Sequence, residues 1–502
     1  MTLGEIGRGI GADMVEKERI TLIIPPSIFL ADERVFVSLG ILKVAACLEQ
    51  EGYPVDVLDL SGVDNYGDIV TNYVIHNNHV SCFGITVTTP QCPAGETITN
   101  RIREAADGRR TRIIWGGPHV TVVNAAKKLE VKKGILGRAH KAFARIAGVA
   151  DVLVAGDGEQ AVFEALKTNN KLVDADNPDS WLFLNKNNII SYPFPARHLV
   201  DIKEYRYKID GVPATSIIAQ LGCPFGCLFC SGRLSPSFRR IRTRNIKNVL
   251  LEIREIYHNY GFEGIQWYDD ELNVNPNFTN DLEEIIKLRE ELGVDFHFRG
   301  FLKANLFNET QASLMKEAGF RQVCIGFESG SPRILRNIKK AATIDDNTRC
   351  MDLTHKYGIR VKAFMSLGHP GESYLSIEET RNWLLNVQPD DFDCTIITTY
   401  PGTPYYDFAF HTDWHNIWRK SFWTYIATNG DKLYSDDVDF VSEASYYKGI
   451  IDGGYKSFVW TDYITAEDLV KMRDWLERDV RNKLGIPFYP VNPASKFEAS
   501  MG

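Results

Sequence analysis

The sequence predicts an α/β protein: a doubly wound, Rossmann-like domain, then a partial (β/α)6 barrel of TIM type, then a mixed C-terminal cap. Three observations predict it. Apolar runs of strand length recur through the first 200 residues, separated by helical stretches that close on glycine. A second series of six βα units follows a proline-bearing break. Beyond about Trp414 the rhythm gives way to aromatic-rich, less regular sequence.

The first-domain strands are expected at ITLIIP (20–25), PVDVLDL (54–60), CFGITVT (82–88), RIIWGG (112–117) and DVLVAG (151–156). Near-continuous apolar runs of this kind suit strands buried on both faces of a parallel sheet. LGILKVAACLEQEG and GETITNRIREAADG between them carry apolar residues at helical spacing. In doubly wound sheets ligands bind at the carboxyl ends of the strands. The loops there are VSLG (37–40), TVTTPQ (86–91), GGPHVT (116–121) and GDGE (156–159). Glycine lets a ligand approach the backbone, and threonine supplies hydrogen bonds. Four such loops on one edge point to a large polar ligand.

SYPFPARHLVDIKEY (191–205) reads as a linker. Barrel strands are expected at TSIIAQ (215–220), GIQWYDD (264–270), VDFHFRG (294–300), RQVCIGFE (321–328), IRVKAFMSLG (359–368) and DCTIITTY (393–400). The division expected is a tail over 1–15, the first domain over 16–190, a linker over 191–210, the barrel over 211–413 and the cap over 414–502. The cap tryptophans Trp414, Trp418, Trp423 and Trp460 either wall a pocket over the barrel mouth or pack a small cap. A last helix is expected near AEDLVKMRDWLERDVRNKL.

A net charge of −8 and a pI near 5.8 argue against nucleic acid as the partner. The dense basic stretch RRIRTR (239–244) is expected to be a solvated loop leading into a helix. No apolar run reaches the roughly 20 residues of a membrane span, and the charged, glycine-rich N-terminus lacks a signal sequence's apolar stretch. Nine cysteines, six of them scattered, suit a reducing compartment, so the expectation is a cytoplasmic protein without a transmembrane segment.

GCPFGCLFCSGR (222–233) places Cys223, Cys227 and Cys230 at a C-x3-C-x2-C spacing just after the first barrel strand. Structural zinc takes four ligands, and no Cys or His pair lies nearby in sequence. A disulfide with a spare thiol fits neither the compartment nor the spacing. An iron–sulfur cluster held by three thiolates, with one iron left open, fits well.

This spacing, with Phe229 before the last cysteine, resembles that of the radical S-adenosylmethionine (SAM) enzymes. The resemblance implies a 4Fe–4S cluster on the three cysteines and SAM on its open iron, cleaved by one-electron reduction to a 5′-deoxyadenosyl radical. YDDE, with Asp269, Asp270 and Glu271, matches the segment that faces the methionine amine. IGFESGS, with Glu328 and Ser329, resembles the segment facing the ribose. MSLGHPGES, with Ser366, and TYPGTPYYD resemble the ends of the fifth and sixth strands, which enclose adenine and substrate. Arg299 either reaches the SAM carboxylate or is a salt-bridged barrel residue.

A doubly wound domain ahead of such a barrel is similar to that of the cobalamin-dependent subfamily. The resemblance extends over roughly the first 420 residues and implies that Ser38, Leu39, Gly40, Thr86, Thr88, Thr89, Gly116, Gly117, Pro118, His119, Gly156, Asp157, Gly158 and Glu159 hold the corrin. The D-x-H-x-x-G motif that supplies a lower cobalt ligand in part of the subfamily is absent; His76, His79 and His119 do not fit it. The implied activity is methyl transfer from methylcobalamin to an unactivated carbon after hydrogen abstraction. The alternative is a rearrangement, oxidative cyclisation or ring contraction on the same two cofactors. The substrate is expected to be a small molecule and the electron donor a flavodoxin or ferredoxin. An RNA methylthiolase would carry a second three-cysteine cluster and a basic end domain. A non-catalytic carrier would not need the SAM-facing segments.

Overall fold

A computed structural model describes residues 17–27, 33–185, 189, 192–412, 421–446 and 456–488. The first sheet contains β1 (Ile20–Ile24), β2 (Val55–Asp59), β3 (Cys82–Thr86), β4 (Arg112–Gly116), β5 (Val152–Ala155) and β6 (Leu172–Asp174). All its pairings are parallel, in the order β2-β1-β3-β4-β5-β6. The chain reverses its winding between β1 and β3, the position at which doubly wound sheets open a binding crevice. Helices cover both faces and bury two apolar layers, one around Phe83 and Trp115, the other around Leu22, Ile114 and Val154. The five strands read from sequence are all present. The sixth, only three residues long, was not expected.

The second sheet is a half-barrel. After β7 (Lys208–Ile209) and β8 (Val212–Ile217), a small antiparallel pair, β9 (Gln220–Leu221) and β10 (Arg242–Thr243), brackets the cysteine loop. Then come β11 (Gly264–Trp267), β12 (His297–Leu302), β13 (Phe320–Glu328), β14 (Arg360–Leu367) and β15 (Asp391–Ile396). The order is β15-β14-β13-β12-β11-β8-β7, parallel except for β7, which pairs antiparallel on β8. The six expected barrel strands are therefore all present, with β7 added at one edge.

At the other edge no strand among the described residues pairs with β15. The helix Ala466–Leu484 covers it instead. Arg473 Nε donates to the Cys394 carbonyl at 2.9 Å, the Cys394 amide donates to Glu477 at 2.8 Å, and Arg481 donates to the Phe392 carbonyl. Side chains thus satisfy backbone groups that an exposed edge would offer to other chains. Between barrel and helix lies a four-stranded antiparallel sheet: β16 (Phe410–Thr412), β17 (Phe422–Ile426), β18 (Lys432–Ser435) and β19 (Val459–Trp460). Within it Trp460 packs on Phe422 and Tyr434, so this tryptophan serves packing. Trp423 packs on His411 and on the guanidinium of Arg138 from the first domain, which also lies over Tyr406. Trp414 and Trp418 lie outside the described residues. Among the described residues no helix is long and apolar enough to cross a membrane.

The basic stretch 239–244 is not the solvated loop expected. Arg242 and Arg244 turn inward, the former to Asp157 at the end of β5 and the Leu184 carbonyl, the latter to the Ile218 carbonyl and Glu252. Glu252 is fully buried between Arg244 at 2.5 Å and Arg197 of the connecting segment at 2.6 Å. Two arginines around one carboxylate are stable in the interior only while the carboxylate remains, because an uncompensated buried charge is costly. Glu252→Ala should therefore lower the unfolding free energy by about 3–5 kcal/mol, read as a shifted urea midpoint; a change below about 1 kcal/mol would contradict this account.

Candidate active site

Each cysteine owes its place to backbone bonds, because the loop between β9 and β10 has little regular structure. Asp269 and Asp270 follow β11. Asp269 accepts from the amides of Ala219 and Gln220 at 2.7 and 3.0 Å, and Asp270 accepts from the amide of Gly222 at 2.9 Å. Gly222 turns the chain at φ 89°, with the Arg240 carbonyl 2.1 Å from where a Cβ would sit, so only glycine fits. The Cys223 amide then donates to Phe238 and the Leu228 amide to Ile338. Cys223 and Cys227 are half-buried and Cys230 is exposed. Burial pushes the Cys223 thiol up to about 11, so it is a metal's positive charge that would draw off the proton on ligation. Among the described residues no three His, Cys, Asp or Glu side chains converge as ligands of a single ion would.

Around this loop stands a chain of buried polar groups. Glu328, at the end of β13, pairs with Lys340 at 2.6 Å and accepts from Ser366 at 2.8 Å. Ser366 Oγ lies 2.8 Å from His369 Nε2, and the His369 ring meets Phe229 edge-on at 5.3 Å and Tyr405 at 6.2 Å. Desolvation lowers His369 to about 4, so the imidazole is neutral near pH 7. Despite its burial, Glu328 stays below the ordinary carboxylate range because of Lys340 and Ser366. Burial pushes Glu271 up to about 7, and its Oε2 is buried without a hydrogen-bond partner. Lys303 bonds the Lys340 carbonyl at 2.7 Å and lies 4.4 Å from the Phe225 ring. Three residues here, Glu328, Lys339 and Ala341, hold positive φ without being glycine, a strain that the surrounding contacts must offset.

The sequence named Phe229, Asp270, Glu271, Glu328 and Ser366, and the structure brings these around the loop. Asp269 belongs with them but spends its carboxylate on loop amides. Ser329 faces away, its hydroxyl bonded to Thr380 at 3.1 Å. Arg299 is fully buried inside the barrel, two residues before Phe301 on the same face of β12, and donates to the Tyr207 hydroxyl at 2.8 Å. It is the third of the six residues of its strand. Sequence reasoning missed Lys303, Lys340 and His369. His369 lies inside the MSLGHPGES segment, which was a signal for it; Lys303 and Lys340 lie just past a strand and a helix end.

A cavity of about 340 Å³ opens at the carboxyl edge of the first sheet. It runs along the sheet face between helices Leu39–Gln50 and Gly158–Lys167, and Ile218, Leu221, Ser237 and Phe238 from beside the cysteine loop close its far wall. Leu39, Gly40, Thr86, Gly116, Gly117, Pro118, Gly156, Asp157, Gly158 and Glu159 line it. At Gly117, φ 102°, a Cβ would press on the Val87 carbonyl at 2.9 Å, whereas one on Gly40 would meet nothing within 4 Å. Asp157 is pushed up to about 6 by burial, against the pull of Arg242. Ser38, Thr88, Thr89 and His119 are not in the lining. Thr88 closes a turn with Gln91, and His119 is buried against Phe440 with Nδ1 at 3.1 Å from Thr89 Oγ1.

Residues 217–384 match the model of the Radical SAM superfamily. Uncharacterized methyltransferase PH0819 of Pyrococcus horikoshii is 27% identical over 78% of this chain and 83% of its own length. An anaerobic magnesium-protoporphyrin IX monomethyl ester cyclase of Cereibacter sphaeroides is 24% identical over 51% of this chain and 44% of its own. Two solved structures share the fold. The radical SAM methyltransferase TsrM from Kitasatospora setae, with cobalamin and an iron–sulfur cluster bound, has a TM-score of 0.60 at 20% identity, covering 78% of this chain and 77% of its own. OxsB, a cobalamin-dependent SAM radical enzyme, has 0.58 at 16%, covering 77% and 54%. The segment that matches the Radical SAM superfamily, residues 217–384, is the one that carries the cysteine loop on its half-barrel. With the doubly wound domain before it, the chain shares its two-domain fold with TsrM and OxsB.

His119 provides a test of how the first domain is packed. Burial lowers it to about 4 from an ordinary 6.5. Between those values the unfolded chain binds a proton that the folded chain refuses, so its contribution to stability is present above pH 6.5 and lost as pH falls toward 4. Relative to His119→Phe, the wild type should lose roughly 2–3 kcal/mol across that window, measured by urea unfolding at stepped pH. A difference that stays constant with pH would show that His119 is not held neutral.

Proposed function

We propose that this protein is a cobalamin-dependent radical SAM methyltransferase acting on an unactivated carbon of a small molecule. The observation that carries the reading is the shared wall: the segment bearing the three cysteines also closes the cavity on the first sheet. Two cofactors bound at these places would face one another across the domain boundary.

The residues fit both groups. Three thiols in one loop suit three irons of a 4Fe–4S cluster and leave one open. The unpartnered Glu271 Oε2 suits the SAM ammonium. Glu328 and Ser366 present oxygens to the ribose, while neutral His369 orients the Ser366 hydroxyl. The cavity, glycine-lined and mostly apolar, would hold part of a bound cobalamin. When bound, the cluster and SAM supply a radical able to break a C–H bond, and cobalamin supplies the methyl group. The chain's own work is to hold SAM's polar groups against charged and hydroxyl partners, to fix the two cofactors' separation through the interdomain ion pairs, and to keep water out with the rings of Phe229 and Tyr405. A flavodoxin or ferredoxin is the proposed electron donor.

The cyclase among the relatives favours a second reading, in which the same two cofactors serve a reaction without methyl transfer. Methyl-labelled SAM separates them, since only a methyltransferase places the label in product.

The first experiment is anaerobic production with supplied cobalamin, followed by iron, sulfide and corrinoid assays. About four irons and one corrinoid per chain are expected. Cys227→Ala should lose the iron, and Gly40→Leu, which projects into the cavity, should lose corrinoid while keeping iron. Iron without corrinoid in the wild type would remove cobalamin from the reading and with it the methyl transfer.

A further inference from the structure

We infer that Lys303 is the counter-charge of the iron–sulfur cluster, a positioning residue that raises the cluster's reduction potential. The inference rests on the cluster reading above and adds a role to a residue outside every motif of the sequence. Lys303 follows β12 and is 1% exposed. Its backbone is pinned by reciprocal bonds with Asn273: its amide donates to Oδ1 at 2.9 Å and its carbonyl accepts from Nδ2 at 3.0 Å. The ammonium therefore has a fixed origin. It donates to the Lys340 carbonyl at 2.7 Å and lies 4.4 Å from the ring of Phe225, which sits between Cys223 and Cys227 in the loop.

What this ammonium lacks is an ion pair. Among the described residues no carboxylate lies within ion-pair distance of it, whereas its neighbour Lys340 is held by Glu328 at 2.6 Å. A buried cation without a paired anion is costly, and one carbonyl and one ring compensate little of that cost. Burial and the neighbouring Lys340 ammonium disfavour its charge, while Cys227, Glu271 and Cys223 act in the opposite sense. Three thiolates around a cluster would supply the missing negative charge. The backbone turn agrees: Lys339 and Ala341, at φ 52° and 59°, flank Lys340 and present its carbonyl to Lys303. When the cluster takes one electron from a low-potential one-electron donor, no bond forms or breaks and the site gains one negative charge. A fixed cation beside it favours that reduced state.

The test is a reductive titration of the anaerobically reconstituted full-length protein, followed by electron paramagnetic resonance, on wild type, Lys303→Met and Lys303→Arg, each with its iron and sulfide content measured. Lys303→Met, with full iron, should be reduced at least tenfold less at a fixed potential, equivalent to a midpoint about 59 mV more negative for one electron. Lys303→Arg should titrate near the wild type. Loss of the cluster from Lys303→Met with retention in Lys303→Arg would also support the inference, because both are long side chains and only one is charged. Equal potentials in Lys303→Met and wild type at equal iron would overturn it, as would equal loss of cluster from both variants. A wild type that takes up no iron would overturn the cluster reading itself, an outcome distinct from a wild-type cluster indifferent to Lys303.

Discussion

Three amide-to-carboxylate bonds, from Ala219, Gln220 and Gly222 to Asp269 and Asp270, are the interaction on which the rest of the site depends. The cysteine loop has no ladder of its own beyond the two-residue pair of β9 and β10. Its position is inherited from β11, whose register on β8 sets Trp267 opposite Ile217 and carries the two aspartates to the loop's entrance. Burial raises Asp269 to about 7 even with two amides bound to it. A buried carboxyl is tolerated here because its acceptors are used, and the loop is rigid because the carboxyl is buried.

Charge also determines how the two domains meet. Arg242 joins the barrel hairpin to Asp157 on the first sheet; Ser235 and the Ser237 amide join it to Asp176 at 2.7 and 2.8 Å. Such bonds are directional, whereas apolar contact alone would let the domains slide. The cavity wall built from both domains therefore has a defined width, and a ligand spanning the boundary meets a fixed distance.

The sequence revealed the strands more clearly than it revealed the destinations of the charged side chains. Strands buried on both faces leave near-continuous apolar runs, which marked five strands of the first sheet, and the alternation of strands with helices marked six of the second. The three-residue β6 is too short to leave such a trace. The cysteine spacing is local, so it was fully legible. Arg242, Arg244, Lys303 and Lys340 were not, because a basic residue is usually exposed and its burial depends on a partner distant in sequence: Arg242 lies 85 residues from Asp157. Ser329 shows the converse limit. It adjoins Glu328, yet the backbone turns at Glu328 through a positive φ of 68°, and the Ser329 hydroxyl goes to Thr380.

The helix Ala466–Leu484 supplies the bonds that close β15, and it is the final helix of the described chain. A ribosome releases it after every strand of the barrel. Until then the Cys394 amide and carbonyl and the Phe392 carbonyl are without their partners, and the barrel's last strand has an open flank. The scaffold is thus sealed from behind: its last strand gains a closed edge only when a helix some eighty residues further along the chain has folded back onto it.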